Sequence, residues 1–122
     1  MRLKGKRFLF IDDEEALLFA YRYLVQAEGA EVHTATHLQA AVELVNKYNF
    51  DYVISDYNMP EVTGYDILYQ IHQVQRAAKL YIISGTVNLD IMKKVDVHHI
   101  LAATLEKPFA RETLVELFAG EQ

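Results

Sequence analysis

The sequence contains no cysteine and no tryptophan, and only two prolines and five glycines occur among its 122 residues. Without cysteine, the chain can form neither a disulfide framework nor a thiolate metal site. Long apolar runs are also missing, and the basic N-terminal stretch contains only the short apolar run "FLFI". A membrane-spanning helix needs about 20 apolar residues, and a signal peptide needs a longer apolar core than this one. We therefore expect a cytoplasmic protein with no membrane contact.

Basic residues are outnumbered, with 12 Lys and Arg against 17 Asp and Glu and a net charge of -5. This balance argues against nucleic-acid binding by this domain, because phosphate binding requires a basic patch. Hydrophobic residues make up 52% of the chain and charged residues 24%, which is typical of a globular protein and not of a disordered one. The length suits one domain, which we predict to cover residues 1–122.

Short apolar runs alternate with segments of helical periodicity along the whole chain. The apolar runs show little polar alternation, as expected for strands that helices cover on both faces. Right-handed crossovers between such strands give an α/β fold with an open, doubly wound parallel sheet. The predicted strands cover 7–12, 30–35, 51–56, 79–85 and 100–106, and the predicted helices cover 14–29, 37–48, 65–76, 89–95 and 110–120.

Polar groups stand at the ends of four of these predicted strands. In chain order they are Asp12 and Asp13, Asp56, Ser84 and Lys107. Ligands of doubly wound sheets bind beyond the carboxyl ends of the strands, where these groups would converge if the four strands are neighbours. Two carboxylates about 4 Å apart repel by roughly 4 kcal/mol at an effective dielectric near 20, so such a cluster favours a bound cation. Oxygen ligands without imidazole or thiolate suit Mg²⁺ or Mn²⁺.

This combination of groups indicates phosphoryl-transfer chemistry. A carboxylate can be the nucleophile and form an aspartyl phosphate, and Asp56 is the natural candidate because it is the one acid that ends the central strand. The Ser84 hydroxyl and the Lys107 ammonium could neutralise the phosphoryl oxygens in the transition state. Taken singly, these residues could equally be a helix cap, a turn acid or a solvated lysine. Their joint placement at strand ends favours the functional interpretation.

Four motifs, "FIDDEE", "VISDYNMPEVTGYDIL", "IISGT" and "EKPF", carry a resemblance to a known family. In order and spacing, the chain resembles a two-component response-regulator receiver domain, and its size is similar to that of the single-domain chemotaxis type. The resemblance covers essentially all residues. It implies a flavodoxin-like (βα)5 fold whose five parallel strands have the order 2-1-3-4-5. It also implies that a histidine kinase or a histidine phosphotransfer protein phosphorylates the chain in the presence of Mg²⁺.

The resemblance further implies individual roles. Asp56 would be the phosphoacceptor and would share the metal with Asp13, a direct ligand, and with Asp12, which acts through water. The other implied roles are a backbone carbonyl ligand at Asn58, phosphoryl-oxygen contacts at Ser84 and Lys107, control of the phosphoryl lifetime by Asn58 and Thr86, and a cis peptide bond before Pro108. An effector protein would bind the face built from helix 4, strand 5 and helix 5.

Two features depart from the family pattern. The family usually carries an aromatic residue three positions before the lysine, where this chain has Thr104. The stretch "VDVHHILAATLEKPF" also lacks the glycine that is common before the fifth strand. The site is therefore expected to be intact while its connection to the surface is altered. We predict that switching moves the 85–104 segment without an aromatic flip at position 104.

Three alternatives remain open. A phosphatase of the haloacid dehalogenase class would need a nucleophile and an acid at alternate positions of the first strand, and a cap domain. A nucleotide-binding protein would need a glycine-rich loop after the first strand, where this chain has acids. A receiver-like interaction module that works without phosphate fits the Thr104 departure. The scattered histidines and the eight tyrosines carry no motif and are interpreted as surface or packing residues.

Overall fold

In the computed structural model, which describes residues 2–85, 94–107 and 116–118, strands and helices alternate along the chain. The strands are β1 (Arg7–Ile11), β2 (Glu31–Ala35), β3 (Tyr52–Asp56), β4 (Lys79–Ser84) and β5 (Leu101–Glu106). The helices are α1 (Glu15–Gln26), α2 (Leu38–Lys47) and α3 (Gly64–Val74). The helices predicted over 89–95 and 110–120 lie mostly outside the described residues, although 94–95 and 116–118 are described and are helical.

All five strands are parallel and form one sheet in the order β2-β1-β3-β4-β5. This arrangement confirms the predicted doubly wound, flavodoxin-like sheet, including the fifth strand. The chain order reverses at β1 and β3, so the carboxyl ends of these two strands flank the crevice in which such folds bind ligands. Among the described residues, no helix combines the length and apolar character needed to cross a membrane.

Apolar side chains on both faces of the sheet hold the helices in place. One face carries alternate residues such as Leu9, Val53 and Leu80, which pack against α2 and α3. The other face is aromatic, and there Phe8 meets the Phe118 ring edge-on at 4.9 Å between centroids. Because successive strand residues point to opposite faces, each apolar strand supplies both cores at once.

The β4·β5 pairing is irregular near its start. Leu80 is aligned with Leu101, whereas the next residue, Tyr81, is aligned with Ala103, so Ala102 is an extra residue on β5. An insertion of this kind is a β-bulge, which bends the strand and increases its local twist. The half-buried β5 therefore continues the sheet, but its first residues are less regularly paired than those of β3, whose five residues are all buried.

Candidate functional site

The strands carry the predicted polar residues to the carboxyl edge of the sheet. Asp12 directly follows β1, Asp56 and Ser84 are the last residues of β3 and β4, and Lys107 directly follows β5. The Asp12, Asp56 and Ser84 side chains are buried, with relative exposures of 1%, 7% and 0%. Asp13 is exposed. Two buried carboxylates beside an apolar core indicate a site and not a stabilising core, since burying charge is costly.

The acids and the lysine meet at short distances. Oxygen atoms of Asp12, Asp13 and Asp56 all lie within 4.8 Å of one another. The Lys107 Nζ atom lies 3.1 Å from Asp12 Oδ2 and 3.4 Å from Asp56 Oδ2, so it bridges the two buried carboxylates. The other Asp12 oxygen, Oδ1, accepts a hydrogen bond of 2.9 Å from the backbone amide of Glu14. This bond fixes the Asp12 side chain at the turn that leads into α1.

The charge of this cluster favours a divalent cation. When all four groups are ionised, three carboxylates and one ammonium leave an excess of two negative charges. The ligand atoms are carboxylate oxygens, the hard donors that Mg²⁺ prefers. Asp12, Asp13 and Asp56 therefore fit a magnesium site in donor chemistry, in charge and in spacing.

Burial sets the protonation behaviour of the acceptor candidate. Desolvation raises the pKa of Asp56, the neighbouring Lys107 opposes that rise, and the Asp12 charge adds to it. For Lys107, burial lowers the pKa, but the hydrogen bond to Asp12 and the charges of both acids outweigh this effect and leave the pKa raised. The carboxylate of Asp56 is thus poorly solvated and more basic than an exposed one, while the lysine stays protonated.

The backbone around Asp56 is tightly fixed. The amide of Tyr57 donates to Ile83 O at 3.0 Å, and the amide of Gly64 donates to Tyr57 O at 2.8 Å, so the β3–α3 loop closes on itself. Within this loop Glu61 adopts a left-handed conformation with φ of 70°. Thr63 and Asp66 form a reciprocal capping box that starts α3. The "T-x-x-D" spacing of this cap is visible in the sequence.

Position 64 must be glycine, because there is no room for a side chain there. A Cβ atom at this position would lie 1.9 Å from the carbonyl oxygen of Asp56 and 2.8 Å from Ser55 Oγ. The first residue of α3 therefore lies directly against the backbone of the acceptor candidate, and only glycine permits that approach.

The remaining predicted site residues differ in how they are placed. Asn58 is exposed on the loop two residues after Asp56, and its backbone forms a hydrogen bond that acts to lower the Asp56 pKa. Thr104 is half-buried in β5, aligned with Ile82 of β4. Thr86 and Pro108 lie outside the described residues. In the glycine-free stretch before β5, His99 adopts the left-handed conformation with φ of 54°.

Tyr21 adjoins the site, although sequence reasoning predicts only a packing role for it. Its ring is buried on α1 and stacks on Phe10 at 5.1 Å. Burial raises its pKa to about 12; the nearby Lys107 lowers it and the Asp12 and Asp56 charges raise it. Helical periodicity indicates that Tyr21 faces the sheet, but it does not indicate which end of the sheet the hydroxyl reaches.

Comparisons with known proteins agree with this geometry. The family model of the response regulator receiver domain matches residues 8–119. The probable transcriptional regulator ycf29 of Porphyra purpurea is 29% identical over 110 residues, which cover 89% of this chain and 53% of that protein. The chain spans about half the length, or less, of the curated relatives that it matches first.

Solved structures show the same fold. The receiver domain protein of Methanospirillum hungatei matches with a TM-score of 0.87 and 22% identity, covering 95% of this chain and 92% of that one. The response regulator TrrA of Thermotoga maritima, solved in complex with Mg²⁺-BeF, matches with a TM-score of 0.81 and 24% identity, covering 96% and 99%. Identities at this level establish a common fold.

Proposed function

The chain belongs to the response regulator receiver domain family, and on that premise we propose that it accepts a phosphoryl group on Asp56 in a two-component signalling system. One observation carries the proposal. The buried Asp56 carboxylate lies within 4.8 Å of two other carboxylates and 3.4 Å from the Lys107 ammonium, at the carboxyl edge of the sheet. Such a cluster costs stability, because each buried charge loses hydration and only pairing with Lys107 or a bound cation offsets that loss.

The proposed reaction is an in-line transfer from a phosphorylated histidine of a donor protein. An Asp56 carboxylate oxygen attacks the phosphorus, a P–O bond forms, and the P–N bond breaks. The leaving imidazole keeps the bonding electron pair and takes a proton from solvent. Desolvation favours this step, because a poorly hydrated, more basic carboxylate is the stronger nucleophile. The acceptor then carries the additional charge of a phosphoryl group, about -1.5 to -2 near neutral pH.

The other residues would hold the group that is transferred. Lys107, which bridges Asp12 and Asp56, can follow the phosphoryl oxygens with a small movement of its side chain. The buried Ser84 ends the neighbouring strand and offers its hydroxyl at the same edge. Asp12, Asp13, Asp56 and the Asn58 carbonyl would hold Mg²⁺, which when bound supplies positive charge to the phosphoryl oxygens. Slow attack of water, on a route flanked by Asn58 and Thr86, would return the chain to its resting state.

We also propose the protein partners of the chain and its location in the cell. A histidine kinase or a histidine phosphotransfer protein would donate the phosphoryl group, and the face of helix 4, strand 5 and helix 5 would bind an effector. Residues 1–122 would act as one receiver domain in the cytoplasm. Such switching requires only a shift between two surface conformations that differ by a few kcal/mol.

The test is phosphorylation by acetyl phosphate with Mg²⁺, followed by intact mass. We expect one phosphoryl adduct on the wild type, none without Mg²⁺, and none on Asp56→Asn. Asp51→Asn is the matched control, because Asp51 is an exposed acid that directly precedes the same strand, at its opposite end. Its adduct should equal that of the wild type. An adduct that persists on Asp56→Asn would contradict the assignment of the acceptor.

A second candidate function is a receiver-like interaction module that works without phosphate. Thr104 favours it, since the half-buried threonine cannot provide the aromatic switch that the family pattern includes. A folded, Mg²⁺-binding wild type that gives no adduct with acetyl phosphate would favour this second function.

A further inference from the structure

The connection that leads into β5, residues 95–101 with Leu101 as the first strand residue, is organised around one carboxylate. Asp96 Oδ1 accepts a hydrogen bond of 2.9 Å from the amide of Ile100, and Oδ2 accepts one of 3.2 Å from the amide of Leu101. The amide of His99 donates to the backbone oxygen of Asp96 at 3.2 Å. These bonds hold the turn in which His99 is left-handed, so the Asp96 carboxylate compensates for a conformation that glycine would adopt without strain.

The same carboxylate is bound by α3. The Tyr65 hydroxyl donates to Asp96 Oδ1 at 2.9 Å and accepts a hydrogen bond of 3.0 Å from the amide of His98. Tyr65 is buried, and burial raises its pKa, so the hydroxyl keeps the proton that it donates. The His98 ring also stacks on Tyr69, one helical turn further along α3, at 4.2 Å between centroids. The first turns of α3 therefore hold the 95–101 connection directly.

At its other end, this turn of α3 abuts the acceptor candidate. Tyr65 follows Gly64, whose missing Cβ leaves just enough room for the carbonyl oxygen of Asp56. Ser55 Oγ donates to that same oxygen at 3.0 Å. Since these contacts leave no free space, a displacement of the Asp56 backbone has to displace the start of α3 as well.

We propose that Tyr65 and Asp96 couple the state of Asp56 to the surface of residues 95–101, an inference that rests on the proposed phosphorylation of Asp56. The coupling runs from the Asp56 backbone through Gly64 to Tyr65, and through its hydroxyl to Asp96. It ends at a surface that includes Val97, of which 67% is exposed. This route uses bonds between side chain and backbone and does not require an aromatic side chain at Thr104.

The physical requirement for such coupling is an element with two arrangements that both ends can bias. In this proposal the element is the hydroxyl–carboxylate bond, which is formed in one arrangement and broken in the other. Asp96 Oδ1 accepts from both Tyr65 and the amide of Ile100, so a shift of α3 that breaks the first bond leaves the carboxylate held by the turn alone. The turn that depends on Asp96 must then adjust, and it contains the strained His99.

The variant Tyr65→Phe tests this coupling, because it removes one oxygen atom and keeps the ring. Backbone amide resonances of 95–101 are recorded before and after addition of Mg²⁺ and beryllofluoride, a phosphoryl mimic, and the acetyl phosphate adduct is measured on the same proteins. We expect the adduct to form on both wild type and variant. The shift changes over residues 95–101 should fall by at least half in Tyr65→Phe, while those at Tyr57 and Asn58 persist.

Asp96→Asn is the second variant and should reduce the same shift changes, without a further loss when it is combined with Tyr65→Phe. Tyr69→Phe is the matched control, since it removes a hydroxyl from the next exposed tyrosine of α3 and leaves the ring that stacks on His98. Full shift changes over residues 95–101 in Tyr65→Phe, together with a normal adduct, would overturn the coupling and leave the acceptor function standing. A wild type without adduct and without response to beryllofluoride would overturn both.

Discussion

Replacing Gly64 with alanine perturbs the acceptor through its backbone neighbour. A Cβ atom there would lie 1.9 Å from the Asp56 carbonyl oxygen, whereas a carbon and a carbonyl oxygen in contact are about 3.3 Å apart. The start of α3 and the end of β3 must therefore separate by about 1.4 Å. Forced overpacking typically costs ~1–3 kcal/mol, and we expect the upper end because the obstructing atom is backbone and cannot rotate away.

A smaller effect acts in the opposite direction. Alanine stabilises a helix interior relative to glycine by about 1 kcal/mol, and this is the upper limit of the gain at Gly64, the first residue of α3. From the sequence alone, Gly64→Ala would therefore be a stabilising change. We expect a net loss of about 2 kcal/mol, which for a domain of this size lowers the melting temperature by roughly 8 °C. Thermal unfolding followed by circular dichroism measures it, and the rate of phosphorylation by acetyl phosphate should fall with it.

Gly5→Ala is the control for this experiment. Gly5 has a positive φ of 84° but nothing within 4 Å of an added Cβ, so alanine there meets backbone strain without a clash. Its expected cost is about 1 kcal/mol. If Gly64→Ala proved as stable as Gly5→Ala, or phosphorylated at the wild-type rate, the close approach of α3 to Asp56 would not constrain the acceptor.

Two further predictions concern stability. Because burial raises the Asp56 pKa, the folded state binds that proton more tightly than the unfolded chain does. Ionised Asp56 therefore destabilises the fold increasingly as the pH rises above about 4, the unfolded value. In metal-free buffer, Asp56→Asn should melt at a higher temperature than the wild type at pH 7, and the difference should shrink towards pH 3.5; an equal difference at both pH values would refute this origin. Glu61→Asn should raise the urea midpoint by the equivalent of about 0.5 kcal/mol, because asparagine tolerates the left-handed conformation better than glutamate. The control Glu43→Asn, in the helical interior of α2, should not raise the urea midpoint.

The fold could be predicted because its determinants are local and repeated. Each strand is an apolar run with helical segments on either side, and right-handed crossovers leave few topologies. The convergence of the acids could be predicted by the same reasoning, because the carboxyl ends of parallel strands meet at one edge whatever the details of packing. Asp12, Asp56 and Lys107 could therefore be placed together although 95 residues separate the first from the last.

The features that escaped prediction depend on distances between elements. Tyr65 and Asp96 lie 31 residues apart, and nothing in their local sequence indicates that they meet. The left-handed conformations of Glu61 and His99 escaped for a related reason, since local propensity favours glycine or asparagine at such positions. At His99, the hydrogen bonds of Asp96 hold the conformation that local propensity does not favour.

The two departures of this chain from the family pattern fall on β5 and the turn before it. His99 takes the left-handed conformation, Ala102 is the extra residue of the bulge, and Thr104 stands where an aromatic residue is usual. Thr104 has no ring that could change rotamer. Strain and irregular pairing are instead concentrated between Asp96 and Ala102, where the Asp96 carboxylate binds two backbone amides and the Tyr65 hydroxyl. A partner that distinguishes two states of this chain should therefore contact the turn that Asp96 holds, and substitutions at Val97 should weaken that contact more than substitutions at Thr104.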